Sequence, residues 1–400
     1  MASYHTWHHP LLDSVPAFST AEVPIAAIPA DPNDPPDGTM EPRQLASLRN
    51  DMDELRRIGQ SKGICDAQRD IGKSDGDLEM WLLKVGKGAD HKVLFTGCHH
   101  AREWISVEVP YLVAKYLIEN YEDKPTDPKK LRIKHLVDNR QIWFVPITNP
   151  DGHQFSQSDD RRWRPNRRPI AMPAQKLKVK RLGGGARTID IPERTFKGVD
   201  INRNYPEAHW GLETSSTSRD PRSAGHNSVW AGPSAGSEPE TQRIVQLFDD
   251  NAFRANITFH SASQLLLYAD DSEKDAFAQF VGKGMSALID EKGNPYIYEA
   301  SKDLYPTTGT QSTFAWERTR RPSFTPELRP NGDHPEWWFS ALPESEIEPC
   351  FREMLPACLA LINCAGLDGV AGKAKVTVSA SDPLAQVVPN GWKAFLGWEP

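Results

Sequence analysis

The chain has 400 residues, 38% of them apolar, enough to bury a substantial core in one large domain or two ordinary ones. Its 54 acidic and 47 basic residues leave a formal net charge of -7, which gives no general reason to expect nucleic acid or an anionic membrane as a partner. No run approaches the ~18 apolar residues of a membrane span, and residues 1–10 lack the basic and apolar regions of a signal peptide.

A soluble monomer is therefore expected, cytoplasmic or secreted from a precursor whose leader is absent from this chain. Residues 1–45 carry many prolines and short polar runs such as Asp31-Pro32-Asn33-Asp34-Pro35-Pro36-Asp37, and 1–69 as a whole reads as an irregular lead-in. The domain proper is expected over 70–366. Residues 78–85 and 92–96 are strand-like, and Gly86-Lys87-Gly88 between them suggests a turn joining a pair. A helix is predicted over 107–121, where apolar positions recur near a period of 3.6 and Pro110 is admissible only near the first turn. Residues 141–147 return as a buried strand, followed by a turn at Asn149-Pro150-Asp151-Gly152. Strand, helix, strand is the pattern of an α/β domain.

Residues 167–197 form a basic insertion with Lys176, Lys178, Lys180, Arg181 and Gly183-Gly184-Gly185. Its glycines lack the spacing of a phosphate loop, so it reads as a surface hairpin or flap whose charge could attract an acidic peptide. A capping-box pattern, Ser237-x-x-Glu240, opens a helix toward Asp250. Residues 256–259 make a short strand before His260, and 264–268 make another. Helices are expected over 273–291 and within 344–365, the latter kinked or begun late by Pro349 and Pro356. Residues 367–400 offer one alternating run, 375–379, and read as a tail or the start of a truncated β module. Cys65, Cys98, Cys350, Cys358 and Cys364 show no metal-site spacing and leave the redox compartment open.

The chemistry lies in ionisable residues that follow apolar strands. His100 and Glu103 stand three apart where a strand gives way to a helix, so a tight turn can aim both at one point. That spacing also suits capping or surface roles; His260 after a second strand and Glu327 after a third segment are what turn it toward a metal. Two histidines and one carboxylate are the protein ligands of a catalytic zinc that keeps a position for water, and a second carboxylate is what that water needs as a base. The crevice at the carboxyl ends of the strands is where an α/β sheet collects such groups. His99 adjoins His100, but strand alternation assigns it packing or hydrogen bonding. His153, His209, His226 and His334 fall in no metal spacing, and Trp337-Trp338-Phe339 reads as packing.

In these motifs the chain resembles the zinc carboxypeptidases of the digestive A/B type. The resemblance is carried by Gly97-Cys98-His99-His100-Ala101-Arg102-Glu103-Trp104-Ile105, Thr148-Asn149-Pro150-Asp151-Gly152, Arg162-Trp163-Arg164, Gly198-Val199-Asp200-Ile201-Asn202-Arg203-Asn204-Tyr205, Phe259-His260-Ser261, Ser263-Gln264-Leu265-Leu266-Leu267-Tyr268 and Phe324-Thr325-Pro326-Glu327-Leu328-Arg329, and it extends to Phe339-Ser340-Ala341-Leu342-Pro343. It implies a single α/β domain with a central mixed, mostly parallel twisted sheet flanked by helices. One zinc ion would be held by His100, Glu103 and His260. Glu327 resembles the base that takes a proton from water and delivers it to the leaving amine, and Arg164 the cation beside the developing oxyanion. Asn202 and Arg203 match the pair that holds a substrate's terminal carboxylate, and Tyr305 the mobile tyrosine that closes over it. Arg102 resembles a contact to upstream substrate backbone, and Asp200 the acceptor that orients His100, with a structural Arg203–Asp200 ion pair as the plainer alternative.

The implied substrate is a peptide with a free carboxyl terminus. Ser312 stands where the family places its pocket-base residue and supplies neither a charge nor an apolar floor, so a broad or neutral preference is expected. A related amidohydrolase acting on glutamyl side chains or cell-wall peptides is the alternative, and a non-catalytic peptide-binding protein a more distant one. Three departures from the family pattern stand out. The 167–197 insertion is expected to rim the cleft and favour short peptides. Ala262, where the family has an aromatic, should widen the upstream subsite. Arg329-Pro330 replaces an Arg-Asp cis bond and is predicted to be cis.

Overall fold

Period-two alternation in the central strands gives the molecule two buried layers. The computed structural model describes residues 43–172, 175–180, 186–191, 194–225, 228–290, 296–331 and 342–366. In chain order come α1 (Leu45–Ser61), β1 (Asp70–Lys73), β2 (Glu79–Trp81), β3 (Leu83–Val85), β4 (Lys92–Thr96), α2 (Ile105–Asn120), α3 (Pro128–Asn139), β5 (Gln141–Val145) and α4 (Pro150–Ser158). The insertion follows as β6 (Pro169–Met172), β7 (Gln175–Lys180), β8 (Ala186–Ile191) and β9 (Arg194–Lys197). Then come α5 (Pro239–Asp250), β10 (Phe253–Thr258), β11 (His260–Ser261), β12 (Leu265–Tyr268), α6 (Ala276–Asp290), β13 (Ile297–Ala300), α7 (Ser301–Leu304), α8 (Gln311–Thr319), β14 (Ser323–Leu328) and α9 (Ile347–Cys364).

The main sheet runs β13-β12-β14-β10-β4-β5-β3, with β11 paired beside β14. Its neighbours are parallel except β12 against β14 and β3 against β5, which makes it the mixed, mostly parallel sheet expected. Val93, Phe95, Ile142, Phe144, Ala255 and Ile257 enter one apolar layer with α2, α6 and α9. Leu94, Trp143, Val145 and Phe253 point the other way, into a layer with Ile244 and Phe248 of α5 and Phe314 of α8. Burial on both faces is what a parallel sheet requires. No described helix is long and apolar enough to cross a membrane.

Several local expectations are corrected. The irregular lead-in through residue 69 is interrupted by α1, which packs against α2 and β3, so the domain starts upstream of residue 70. Leu48, Met52 and Leu55, spaced for one helical face, are its buried side. Strands β3 and β4 do not form a hairpin, because β5 lies between them and pairs with both. The Asn149 turn is the start of α4: the Asn149 side chain accepts from Gly152 N at 2.9 Å and Pro150 occupies the first helical position. The capping box at Ser237 is displaced by one residue, since Pro239 takes the first position of α5 and Glu238 the cap.

Pro110 lies inside α2 and leaves the Ser106 carbonyl without its helical donor. Gly97 packs on that oxygen, where a Cβ would sit only 2.1 Å away. The insertion is an antiparallel ribbon, β6 with β9 and β7 with β8, as the hairpin reading expected. Arg329-Pro330 is cis, as is Ser261-Ala262. His226, His334, Trp337-Trp338-Phe339, Gly183-Gly184-Gly185, residues 1–42 and 367–400 lie outside the described residues.

Candidate active site

Strand β4 ends at Thr96, and the chain then bends sharply. Cys98 takes a left-handed conformation (φ 49°), and its N–H donates to Ser106 Oγ at 3.0 Å. Strain of this kind persists only where the surroundings over-determine it. The His100–Glu103 segment closes as a turn, Glu103 N donating to His100 O at 3.1 Å, and the two side chains meet. Asn149 braces the bend from β5's side by donating to His99 O and Pro165 O. From the neighbouring strand end, β11 delivers His260, and its Cα partner in β14 is Glu327.

His100, Glu103 and His260 are all buried and offer one ligand atom each within 4.8 Å of one another. His100 Nδ1 lies 2.7 Å from Glu103 Oε1, His260 Nδ1 lies 3.0 Å from Glu103 Oε2, and the two Nδ1 atoms are 3.1 Å apart. Donors about 2.1 Å from a tetrahedral zinc are separated by about 3.4 Å, so this set fits one such ion with a small outward shift. Asp200 Oδ1 lies 3.2 Å from His100 Nε2, which keeps Nδ1 turned toward the cluster. The triad is positioned to coordinate a single zinc ion.

Electrostatics tie the remaining residues to this point. Burial works against ionisation of Glu103, yet His100 and His260 hold its carboxyl well below the usual range. Burial lowers His260, with Glu103 opposing, and lowers His99 strongly, with the other two histidines adding to the effect. Glu327 is pushed well above the usual carboxylate range by burial and by Glu103, while Arg164 and Arg203 pull it down. A dication at the triad adds positive charge beside it and works in the same direction as the arginines.

Asp200 pairs with Arg164, which donates through Nε at 3.0 Å and Nη2 at 2.9 Å; Arg203 instead donates to Ser216 O and Asn202 O. Despite its burial, the Asp200 carboxyl is held well below its ordinary value by Arg164, Arg203 and His100. Arg164 Nη1 comes within 4.0 Å of Glu103 Oε1, at the edge of the cluster. Asn202 accepts from Gln311 N at 3.0 Å and has Nδ2 at 3.3 Å from His260 Nε2. Tyr305 follows α7, half-buried, in the field of Arg203, Glu327, Arg164 and Glu103. Arg102 donates to Arg162 O at 3.3 Å, and burial, then Arg164, draws its pKa down to about 9. Ser312 is buried in the first turn of α8, its Oγ 3.5 Å from Thr310 Oγ1.

His99 is a packed, hydrogen-bonded residue: it lies 2.9 Å from Tyr205 Oη and 3.2 Å from Thr258 Oγ1, and its ring stacks on His260. His153 is buried between Cys98, Ala101 O and Arg43 O, and His209 is exposed. Sequence reasoning missed a polar network behind Arg164 and Asp200. Asn166 accepts from Val199 N at 2.8 Å and donates to Glu238 at 2.7 Å; Arg168 pairs with Glu238, and Asp75 N reaches Glu240 at 3.3 Å. These bonds clamp the root of the inserted ribbon, and the only sequence signal was a pair of glutamates flanking Pro239.

The sequence model of the zinc carboxypeptidase family, peptidase M14, matches residues 56–357. Dog carboxypeptidase B is 28% identical over 305 residues, covering 73% of this chain and 64% of the relative, so the chain spans slightly less than two thirds of that protein's length. Rat mast cell carboxypeptidase A is 28% identical over 299 residues, 71% of this chain and 63% of the relative. Among solved structures, bovine thrombin-activatable fibrinolysis inhibitor in complex with tick carboxypeptidase inhibitor superposes with a TM-score of 0.64 at 22% identity, over 81% of this chain and 97% of that one, a likeness of fold. A family pattern spanning most of the chain, and a fold that brings the pattern's two histidines and glutamate onto one point, together place this chain in the zinc carboxypeptidase family.

Proposed function

We propose that this chain hydrolyses the last peptide bond of peptides with a free terminal carboxylate, with a broad or neutral preference for the terminal side chain. The observation that carries the reading is the pairing of Glu327 with His260 across β14 and β11, with Arg164, Arg203 and Tyr305 sharing one buried field around it. A zinc ion held by His100, Glu103 and His260 supplies Lewis acidity and lowers the pKa of water.

The chain's own residues do the rest. Glu327, a buried carboxyl beside Glu103 on the strand paired with His260, takes a proton from the attacking water and returns it to the leaving amine. Arg164, fixed by Asp200, presents a guanidinium edge where charge develops on the carbonyl oxygen. Arg203 and Asn202 receive the terminal carboxylate, Tyr305 covers it, and Arg102 contacts the substrate backbone upstream. Ser312 forms the floor of the side-chain pocket and leaves a basic terminal residue without a counter-charge. The 167–197 ribbon, rooted between Arg164 and Asp200, rims the cleft and favours short peptides, and Ala262 leaves the upstream subsite wide.

The test is zinc-loaded protein with one peptide as free acid and as amide, products read by mass spectrometry across a panel of terminal residues. Release of a single terminal residue from the acid alone is expected. Internal cleavage, or equal release from the amide, would refute the reading.

A further inference from the structure

The loop over 212–217 touches both the guanidinium assigned to the substrate carboxylate and the segment that carries Tyr305. Arg203 Nε donates to Ser216 O at 2.7 Å, and the hydroxyl of the same serine donates to Pro306 O at 2.8 Å. Thr214 Oγ1 donates to that carbonyl too, also at 2.8 Å, so both lone pairs of the Pro306 oxygen are taken. The loop is itself stiff: Thr214 N donates to Thr217 O at 3.0 Å and Ser216 N to Thr214 Oγ1 at 3.2 Å.

Beyond Pro306 the attachment continues. Thr308 N donates to Thr217 Oγ1 at 3.1 Å, Thr308 Oγ1 to Leu212 O at 3.1 Å, and Gly309 N to Glu207 Oε1 at 2.6 Å. Gly309 has φ 76°, and a Cβ on it would lie 2.0 Å from Arg203 O, so the Tyr305 segment and the Arg203 backbone are in direct contact. Before Pro306, Tyr305 is held extended (φ -168°, ψ 149°), the conformation a following proline favours. The backbone that follows the tyrosine is thus fixed by the loop that also holds Arg203.

We propose that Ser216 and Thr214 are positioning residues that hold the backbone next to Tyr305 in register with Arg203, so that selectivity for a free terminal carboxylate depends on their two hydroxyls. This rests on the carboxypeptidase reading and deepens it. Neither hydroxyl touches the reacting atoms. Each acts through the Pro306 carbonyl, fixing the backbone from which the mobile tyrosine closes.

The experiment compares zinc-loaded wild type with the double variant Thr214→Val, Ser216→Ala, which keeps the threonine's branched shape and leaves the Ser216 carbonyl on Arg203. Amide hydrogen exchange over 303–309 is expected to quicken, and KM for a free-carboxylate peptide to rise, each about fivefold to tenfold, the scale of one or two neutral hydrogen bonds. kcat should stay within about twofold, since transition-state contacts are untouched. Ser216→Thr, which keeps a hydroxyl, should restore part of the KM, and in a Tyr305→Ala background the double variant should add nothing. Unchanged exchange and KM, or an equal KM rise without the tyrosine, overturns the proposal. If wild type releases no terminal residue, the carboxypeptidase reading fails, and the exchange measurement alone then decides whether the hydroxyls hold the segment.

Discussion

The two sides of the site are built differently. The metal-facing side stands on strand ends: β4 leads into His100 and Glu103, β11 carries His260, β14 carries Glu327, and all four side chains are at most 9% exposed. The proposed substrate-facing side stands on turns. Asn202 and Arg203 lie in one 3-10 turn, Tyr305 follows a four-residue helix, and Ser312 sits in the first turn of α8. On the first side the sheet supplies rigidity and the side chains interlock directly. On the second, backbone carbonyls and small hydroxyls do the fixing, through Ser216 O on Arg203 and two hydroxyls on Pro306 O. Chemistry that must be held to a fraction of an ångström rests on the sheet, and recognition that varies between substrates rests on loops.

Substitutions on the two sides should therefore fail in different ways. Glu327→Gln keeps shape and removes the proton carrier: kcat should fall by about 10²–10⁴-fold, with zinc content by metal analysis unchanged. A variant that keeps near-native turnover ends the assignment, and one that loses zinc shows Glu327 to be a ligand. Arg203→Ala should act on binding instead. Loss of one partner of a buried charge pair costs about 2–5 kcal/mol, about thirtyfold or more in kcat/KM for free-carboxylate peptides. The amidated peptide should be indifferent to it, and equal losses on both would place Arg203 in the scaffold.

The contrast also explains what could be read from the chain beforehand. Strands β4, β5 and β10 announce themselves as short apolar runs, and the ligand motifs directly follow two of them, so the three residues of the metal triad were legible one by one. Helix α1 was not, because Leu45, Leu48, Met52 and Leu55 are diluted by Arg49, Asp51, Asp53, Glu54, Arg56 and Arg57 into a polar-looking stretch. The β3–β4 hairpin was misread because the true partner, β5, lies far along the chain, and local turn signals carry no information about an inserted strand. Thr214-Ser215-Ser216-Thr217 looks like any hydroxyl-rich loop until Pro306 and Arg203 are brought to it. The Asp200 partner was visible as a carboxylate but not as Arg164's, since pairing in space has no spacing rule.

A smaller effect is expected at the proposed pocket floor. Ser312→Asp places a carboxylate in the first turn of α8, where a helix N-terminus favours negative charge, so the fold should accept it. The ratio of kcat/KM for a Lys or Arg terminus over a Leu terminus should rise about tenfold, the low end of measured charge-pair couplings. An unchanged ratio would remove Ser312 from the pocket while leaving the clamp and the metal side intact.

The smallest predicted effect concerns what lies behind the metal-facing side. Glu240 is fully buried. Burial, then the charges of Glu238 and Asp151, outweigh its backbone donors and push its pKa up to about 8. An unfolded glutamate titrates near ~4.3. Because the folded value is the higher one, this group's contribution to stability is fully present below ~4.3 and is lost progressively as pH rises to about 8, beyond which no more is lost. Glu240→Gln removes that proton while leaving an oxygen for the Asp75 N–H, so the variant should gain on wild type as pH rises from 5 to 9. With ~1 kcal/mol worth about 2–4 °C in a domain of this size class, the difference in Tm should open by several degrees over that range. Effects of pH on zinc occupancy, shared by both proteins, cancel in the difference. Parallel Tm profiles for the two would mean that Glu240 is ionised in the fold, and that Asn166 and its neighbours solvate a charge behind Arg164 and Asp200 instead of a neutral acid.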